Sequence, residues 1–286
     1  MSLDLEEKIL HTLTEKIKAN QMVLPSMPDV FLQVKKSVDD PSSNMSIIAN
    51  AITRDPSLTA RILKVSNNAL YRGNNEITNV QLAVSRMGLQ LIKTLVTSHA
   101  ITQMFNQPKG ILKAFFSQLQ HHSTEVSAHA YAIAKNYSKL NPEDALLAGL
   151  VHNIGYLPMA KCIETFPEIE NDTSLLVEIM GKVHTQVGKM ILESWSFPRH
   201  IIDASVHYVD QFRTGPSTLD LTDIVIIAGL NTYRGTDHPC TLPDWSKYPA
   251  FHKIGINTRD DIDNLDMINP DIENARAMLG ISLSVE

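Results

Sequence analysis

The sequence predicts an all-α protein. Apolar residues recur at helical spacing along most of the chain, and short polar segments with helix-start or helix-stop residues separate these stretches. Strand signals are nearly absent, because the one run with strand composition, residues 225–230, lies inside a segment of helix length. With no internal repeat and no low-complexity tract, we expect helices throughout.

The first half of the chain contains five predicted helices. The first covers residues 3–19, where apolar side chains form one stripe. Asp55-Pro56 predicts another helix start, since Asp offers an N-cap oxygen and Pro at the first helical position has no N–H to leave unpaired. The others are predicted at 45–53, 79–88 and 89–105, with Gly88 as a stop.

The second half continues the pattern and then changes. Asn141-Pro142 is a strong helix start, followed by acidic residues that face the positive end of the helix dipole. Residues 235–270 are turn-rich and then acidic, which predicts a surface loop followed by a solvated helix start. Further helices are predicted at 111–138, 173–195, 198–212 and 217–233.

Composition limits the classes of function. The chain has 286 residues with 31 acidic against 25 basic side chains, a formal charge of −6 that argues against broad nucleic-acid binding. Its two cysteines, Cys162 and Cys240, are far apart and predict neither a disulfide framework nor a zinc–cysteine site. Without a signal peptide or a membrane-length apolar run, we expect a cytoplasmic protein that does not bind membranes.

The histidines of the second half are the most informative polar residues. His122 lies on the apolar line of its helix and should point inward, whereas His121 lies to one side. His152 ends the apolar run 145–151, and Gly155 is expected to let the chain turn. His184 and His207 lie on later helices.

Two interpretations of these histidines remain open. Imidazole nitrogens from four helices could converge on Zn, Ni, Mn or Fe. A single inward histidine, however, is more often a hydrogen-bonded core residue, and the wide spacing here forms no local metal motif such as HExxH.

Several segments in order carry a family resemblance. The chain contains LPSMPDVFLQVKKSVDDPSSNMSIIANAITRDPSLTARILKVSNNALY, then ITNVQLAVSRMGLQLIKTLV, QHHSTEVSAHAYAIA, EDALLAGLVHNIGYL and HTQVGKMILESWSFPRHIIDASVHY. Over residues 24–235 it resembles the HDOD domain family, a degenerate branch of the HD phosphohydrolase superfamily. The resemblance implies an HD-like fold with two lobes, an N-terminal one at 1–110 and an HD-like one at 111–286 with a C-terminal extension. It also implies a bacterial, cytoplasmic signalling role.

The catalytic residues of HD enzymes can be carried over one by one. The first histidine would be His122, and the His-Asp pair corresponds to His152-Asn153, in which the aspartate is missing. The HD motif ends with an aspartate on a late helix, and that position would correspond to Gly229 here. Asp223 lies one to two helical turns upstream of it. The additional histidines of some two-metal HD enzymes would match His184 and His207, with Tyr208 in place of a further histidine.

The missing carboxylates decide which function the resemblance favours. Carboxylates offset the charge of a divalent cation and orient its bound water, whereas Asn153 offers one neutral oxygen. We therefore expect a non-catalytic signalling module without a cofactor, which binds an unknown protein or small-molecule partner through this pocket or a groove between the lobes. The alternative is a divergent phosphohydrolase whose metal, Zn, Ni, Mn or Fe, would be held by His122, His152, His184 and His207.

Other residues shared with the family have simpler interpretations. Trp195 and Phe197 are expected to pack between helices. Three arginines could form a small anion site between the two halves: Arg54, Arg61 and Arg72. No GxxxxGK[ST] or GxGxxG loop supports ordinary nucleotide binding.

Overall fold

A computed structural model describes residues 2–40, 42–68, 71–73, 75–106, 112–158, 166, 172–241 and 243–280. All regular structure in these ranges is helical, which confirms the predicted all-α class. The α-helices are α1 (Ser2–Lys18), α2 (Asp29–Asp39), α3 (Met45–Ile52), α4 (Pro56–Ser66), α5 (Val80–Met87), α6 (Leu89–Phe105), α7 (Leu112–Tyr137), α8 (Pro142–Val151), α9 (Thr173–Ser194), α10 (Arg199–His207), α11 (Leu221–Asn231), α12 (Pro249–Lys253) and α13 (Asn269–Leu279).

The two predicted helix starts are confirmed. The Asp55 carboxylate accepts hydrogen bonds from the backbone N–H groups of Ser57 and Leu58, and Pro56 opens α4. The Asn141 side chain does the same for the second and third residues of α8. These side chains satisfy N–H groups that have no partner within the helix, which fixes where both helices begin.

The C-terminal part of the chain differs from the prediction. Residues 235–270 are not only a solvated surface segment, because Trp245, Tyr248 and Phe251 are buried among turns and the short helix α12. After them comes α13, close to the predicted helix start, but it packs against α7 instead of being solvated on all sides. Ion pairs hold α13 there: Lys135 Nζ lies 2.7 Å from Asp271, and Arg276 binds Glu125.

Three further boundaries differ from the sequence-based expectation. Helix α10 ends at His207 and α11 covers only 221–231, so both are shorter than predicted. The sequence also did not predict helix α2, because its N-cap residue, Pro28, makes no side-chain hydrogen bond that would mark the start of the helix.

One apolar core runs through the described chain. Buried residues from all the major helices form a single cluster. Helix α7 packs along α8 at its centre, α6 also contacts α8, and α1 contacts α9. The predicted lobe boundary near residue 110 falls on residues 107–111, which lie outside the described ranges. In the part of the chain that the structure describes, no helix is both long enough and apolar enough to cross a membrane.

Candidate functional site

Side chains from four helices meet at the C-terminal ends of α8 and α10. His122 comes from the middle of α7 and is half-buried, whereas His121 is exposed, as the helical phase predicts. His152 directly follows α8, and Tyr208 directly follows α10. His184 belongs to α9, beside a short 3₁₀ turn at Ile154–Tyr156.

Gly155 allows this close packing. A Cβ atom built at Gly155 would lie 1.8 Å from the carbonyl oxygen of His184. Gly155 lies in the expected turn, the 3₁₀ turn Ile154–Tyr156. It is also needed for a second reason, which is to let the backbone after α8 touch α9. This contact brings His152 and His184 into one site.

His122, His152 and Tyr208 border a cavity of about 280 Å³, whose lining does not include His184. Its wall is aromatic: the ring centroids of His122 and His152 lie 5.4 Å apart, and those of His152 and Tyr208 lie 4.7 Å apart. Tyr233 stacks on His122 from the other side, with centroids 5.5 Å apart. We call this cavity the HD-type pocket; its lining includes His122, His152, Tyr208, Gly229, Tyr233 and Cys240.

His152 is held in one tautomer. Burial, with the nearby ring of His122 adding to it, lowers the pKa of His152 to about 3, so the ring is neutral at physiological pH. Its Nδ1 lies 2.6 Å from the Gly149 carbonyl oxygen and must therefore carry the hydrogen and donate it. Nε2 therefore carries no hydrogen, and its lone pair can accept a hydrogen bond or bind a metal.

Asn153 uses that lone pair. Its amide nitrogen lies 2.8 Å from His152 Nε2 and donates to it. The amide oxygen of Asn153 accepts a hydrogen bond of 2.7 Å from the Tyr208 hydroxyl. That hydroxyl also lies 2.9 Å from Nε2 of His184, whose Nδ1 lies 2.7 Å from the Gly181 carbonyl oxygen. The hydrogen-bonded chain His152–Asn153–Tyr208 therefore closes one side of the pocket. The one hydroxyl hydrogen of Tyr208 goes to Asn153, so His184 Nε2 lies against the Tyr208 oxygen without receiving that hydrogen.

Burial also lowers the pKa values of the other two histidines. For His122 the shift is to about 4, mainly because of burial and secondarily because of the nearby ring of His121. The pKa of His184 is lowered as well, again mainly by burial. The three rings are thus neutral at physiological pH and act as hydrogen-bonding groups rather than as charges.

His207 does not join this site. It is exposed at the end of α10, while the next residue, Tyr208, points inward. The prediction that His207 faces the pocket is therefore corrected, because the inward phase falls one residue later. Asp223 is also elsewhere: it is fully buried, 2.6 Å from Lys253 Nζ and 3.0 Å from Arg213 Nη1.

A model of the HDOD domain family matches residues 24–211, more than half of the chain. The chain belongs to the HDOD domain family.

Similar proteins agree with this assignment. A crystal structure from Shewanella amazonensis SB2B, provisionally named a metal-dependent phosphohydrolase, is 26% identical; it superimposes with a TM-score of 0.80 over 96% of this chain and 99% of its own. A structure from Marinobacter aquaeolei VT8, provisionally named a signal transduction protein, is 18% identical and shares the fold, with a TM-score of 0.58 over 96% of this chain and 65% of its own. An uncharacterized protein of Treponema pallidum (strain Nichols) is 24% identical over 189 residues, or 63% of this chain. The chain spans 36% of that relative's length.

The residues of the HD-type pocket do not fit the metal that the HD superfamily implies. The lone pair of His152 that a metal would need is occupied by the Asn153 amide. At the position of the late aspartate, Gly229 offers no ligand at all. Among the described residues, no group of three or more His, Cys, Asp or Glu side chains could hold a metal ion. The four histidines of the alternative interpretation are therefore not arranged as a ligand set.

Gly229 itself is not required for packing. It borders the cavity, and a Cβ atom built there would meet nothing within 4 Å. The pocket thus has room for a Cβ atom at this position.

The three arginines proposed as an anion site have different surroundings. Arg54 donates to the Gln33 side chain over 2.9 Å, and Arg72 is exposed. Arg61 donates to Ser98 over 3.0 Å, its Nε has no partner, and burial lowers its pKa to about 10. No contact joins the three arginines in the described chain, so a shared anion site remains a prediction.

Two residues of the pocket were missed by the sequence argument. Tyr233 stacks between His122 and His238, with the Tyr233 and His238 centroids 3.8 Å apart. Tyr233 follows Gly229 by four residues, so the predicted helix 217–233 would have placed both on one face; in the structure α11 ends at Asn231 and Tyr233 lies in the turn after it. Cys240, a free cysteine, comes from a loop whose position the sequence gives no means to predict. Cys162 lies outside the described residues.

Proposed function

We propose that this HDOD protein is a non-catalytic signalling module that responds to a bound partner. The observation that carries the proposal is the hydrogen bond from the Asn153 amide to Nε2 of His152. In an active HD site that nitrogen would bind a metal, and the residue after it would be a carboxylate ligand. Here the two side chains bind each other instead.

The hydrogen bond between Asn153 and His152, in place of metal ligation, argues against hydrolysis of a substrate. A divalent cation that activates water needs anionic ligands to offset its charge and to orient the water. Asn153 and Gly229 supply no charge. Burial keeps His152 neutral, and its bond to the Gly149 carbonyl oxygen fixes which nitrogen carries the hydrogen. Tyr208 stabilises the same arrangement by donating to the Asn153 oxygen.

The likeness to the Shewanella protein favours a second candidate, a divergent metal-dependent phosphohydrolase. In that case a metal would have to displace the Asn153 amide from His152. The cost would be two buried hydrogen bonds, since Asn153 is also bound by Tyr208.

The experiment that separates the two candidates is a turnover assay. Phosphomonoesters, phosphodiesters and nucleotides are incubated with the purified protein and with Mg, Mn, Ni or Zn. The non-catalytic proposal predicts no turnover above that of the His152→Ala variant. Turnover that His152→Ala abolishes would refute it.

A gain-of-ligand variant tests the reason proposed for the loss of activity. Asn153→Asp combined with Gly229→Asp returns both carboxylates, and a Cβ atom at Gly229 meets nothing within 4 Å. We expect destabilisation without tight Mn binding, because the carboxylate introduced by Asn153→Asp would face the His152 lone pair and Tyr208 would still fill its side of the pocket. Calorimetry with Mn and thermal unfolding measure both effects. Tight Mn binding with a raised melting temperature would show instead that only the ligands were lost.

A further inference from the structure

The HD-type pocket has a wall without permanent charge. Its described lining residues include no Asp, Glu, Lys or Arg side chain. An ion that entered would lose its water and meet no side chain of opposite charge, which carries a large free-energy penalty. An uncharged molecule avoids this penalty, so the lining selects against phosphates and carboxylates.

The interior of the pocket suits a flat ring. Val225, Ile226 and Leu230 of α11 form an apolar wall. Between them Gly229 leaves the backbone bare, because a Cβ atom built there would meet nothing within 4 Å. The volume of about 280 Å³ lies just below the usual range for drug-sized ligands, which limits the occupant to one or two fused rings.

Three polar side chains of the lining are free to bind a ligand. In the described chain no hydrogen bond is made by the His122 ring, the Tyr233 hydroxyl or the Gln211 carboxamide, and all three residues line the cavity. Their polar atoms are not among the unpaired atoms that the protein encloses completely, so they keep accessible surface. His152 and Tyr208, in the same lining, are already committed to Asn153.

The entrance of the pocket combines apolar surface with the Gln211 amide. Val209 lines the cavity and is 53% exposed, and Phe212, on the other side of Gln211 in the chain, is 64% exposed. A carboxamide offers one acceptor oxygen and two N–H donors side by side. Its complement is an edge with one N–H and one carbonyl oxygen next to each other, as in a lactam.

We propose that the HD-type pocket binds an uncharged planar molecule of one or two rings, whose lactam-type edge pairs with the Gln211 carboxamide and whose ring contacts His122 and Tyr233. This inference rests on the proposed non-catalytic function, because a metal in the pocket would bring charge to it. It deepens that function by naming the class of molecule that the module senses.

The test uses quinolin-2-one as the probe, titrated into the whole protein by calorimetry. Quinoline has the same two rings without the lactam edge, and quinoline-2-carboxylate carries a negative charge. We expect quinolin-2-one to bind about tenfold more tightly than quinoline, because two hydrogen bonds add to the apolar contact. Quinoline-2-carboxylate should bind at least about tenfold more weakly than quinolin-2-one, because its charge stays unpaired.

Gln211→Leu and Gln118→Leu form a matched pair. Gln211→Leu should weaken quinolin-2-one binding by about tenfold and leave quinoline binding unchanged, since only the lactam edge needs the amide. Gln118 is exposed on α7 and is not among the lining residues, so Gln118→Leu should change neither affinity. A Gln211 side chain that only supported the structure would affect both probes equally.

Cys240 shows where the probe binds. It is a free cysteine that lines the pocket, so a bound ring should shield its thiol. Saturating quinolin-2-one should slow alkylation of Cys240 by iodoacetamide about fivefold or more, since thiol reactivity depends on access. Mass spectrometry of the peptide that contains Cys240 measures this rate.

Three outcomes would overturn the proposal. These are no binding of quinolin-2-one, equal affinities for the three probes, or an alkylation rate of Cys240 that the bound probe does not change. Each would remove the ligand site and leave the non-catalytic proposal standing. Metal-dependent turnover that His152→Ala abolishes would instead refute the non-catalytic proposal, whichever probe binds.

Discussion

Replacing Tyr208 by Phe removes one oxygen atom from the centre of the hydrogen-bond chain in the HD-type pocket. The Asn153 oxygen loses the donor that lies 2.7 Å away, and His184 Nε2 loses the oxygen at 2.9 Å. The Asn153 oxygen has no other hydrogen-bond partner in the described chain, whereas His184 Nε2 receives no hydrogen from Tyr208. A buried polar atom left unpaired costs about 1–3 kcal/mol, so the free energy of unfolding should fall by about 1–3 kcal/mol.

Tyr233→Phe is the matched control for this substitution. Tyr233 lines the same cavity, but its hydroxyl makes no hydrogen bond within the described residues. Its loss should change stability by less than about 0.5 kcal/mol. Urea unfolding followed by circular dichroism measures both variants. Equal stabilities of Tyr208→Phe and Tyr233→Phe would refute the claim that Tyr208 holds the pocket closed.

Three other predictions concern stability. Asp223→Ala should lower the free energy of unfolding by about 3–5 kcal/mol in urea denaturation, because it leaves the Lys253 ammonium without its buried carboxylate partner, while Arg213 keeps its ion pair with Asp220; a loss of less than about 0.5 kcal/mol, as expected for an exposed residue, would contradict this. Gly155→Ala should cost about 3 kcal/mol or more through its contact with α9, whereas Gly229→Ala should stabilise α11 by about 0.5–1 kcal/mol, and thermal melts that reverse this order would show the packing argument to be wrong. Below pH 6.5, the ordinary histidine pKa, His152 takes up a proton in the unfolded chain. In the folded protein it stays neutral at this pH, because its pKa is about 3. Stability should therefore be constant above this pH and fall as the pH drops towards 4, by about 1.4 kcal/mol per pH unit for this histidine; a urea midpoint that rises on acidification would contradict it.

Local signals in the sequence predicted the elements that local interactions determine. Asp55 and Asn141 cap their helices with their own side chains, so both starts were visible in the sequence. The helical phase of α7 correctly separated inward His122 from outward His121. These inferences succeed because capping and periodicity depend on residues only a few positions apart.

The features that the sequence did not reveal depend on contacts between distant segments. Helix α13 is held by α7 through partners such as Glu125 and Arg276, which lie far apart in sequence. Tyr208 keeps helical backbone angles, so His207 and Tyr208 point in different directions as consecutive helical residues do. Which of the two faces the pocket depends on how α10 packs against its neighbours, and the sequence does not show this. The bond between Asn153 and Tyr208 requires two helix ends to meet, which family resemblance alone did not indicate.

The central claim is that His152 binds Asn153 in place of a metal. The most direct measurement is the metal content of protein purified without an affinity tag, together with the metal content of His152→Ala purified in the same way. The closed-pocket account predicts a substoichiometric metal content that is the same in both proteins. One equivalent of Mn, Fe, Ni or Zn per chain, lost in His152→Ala, would contradict it.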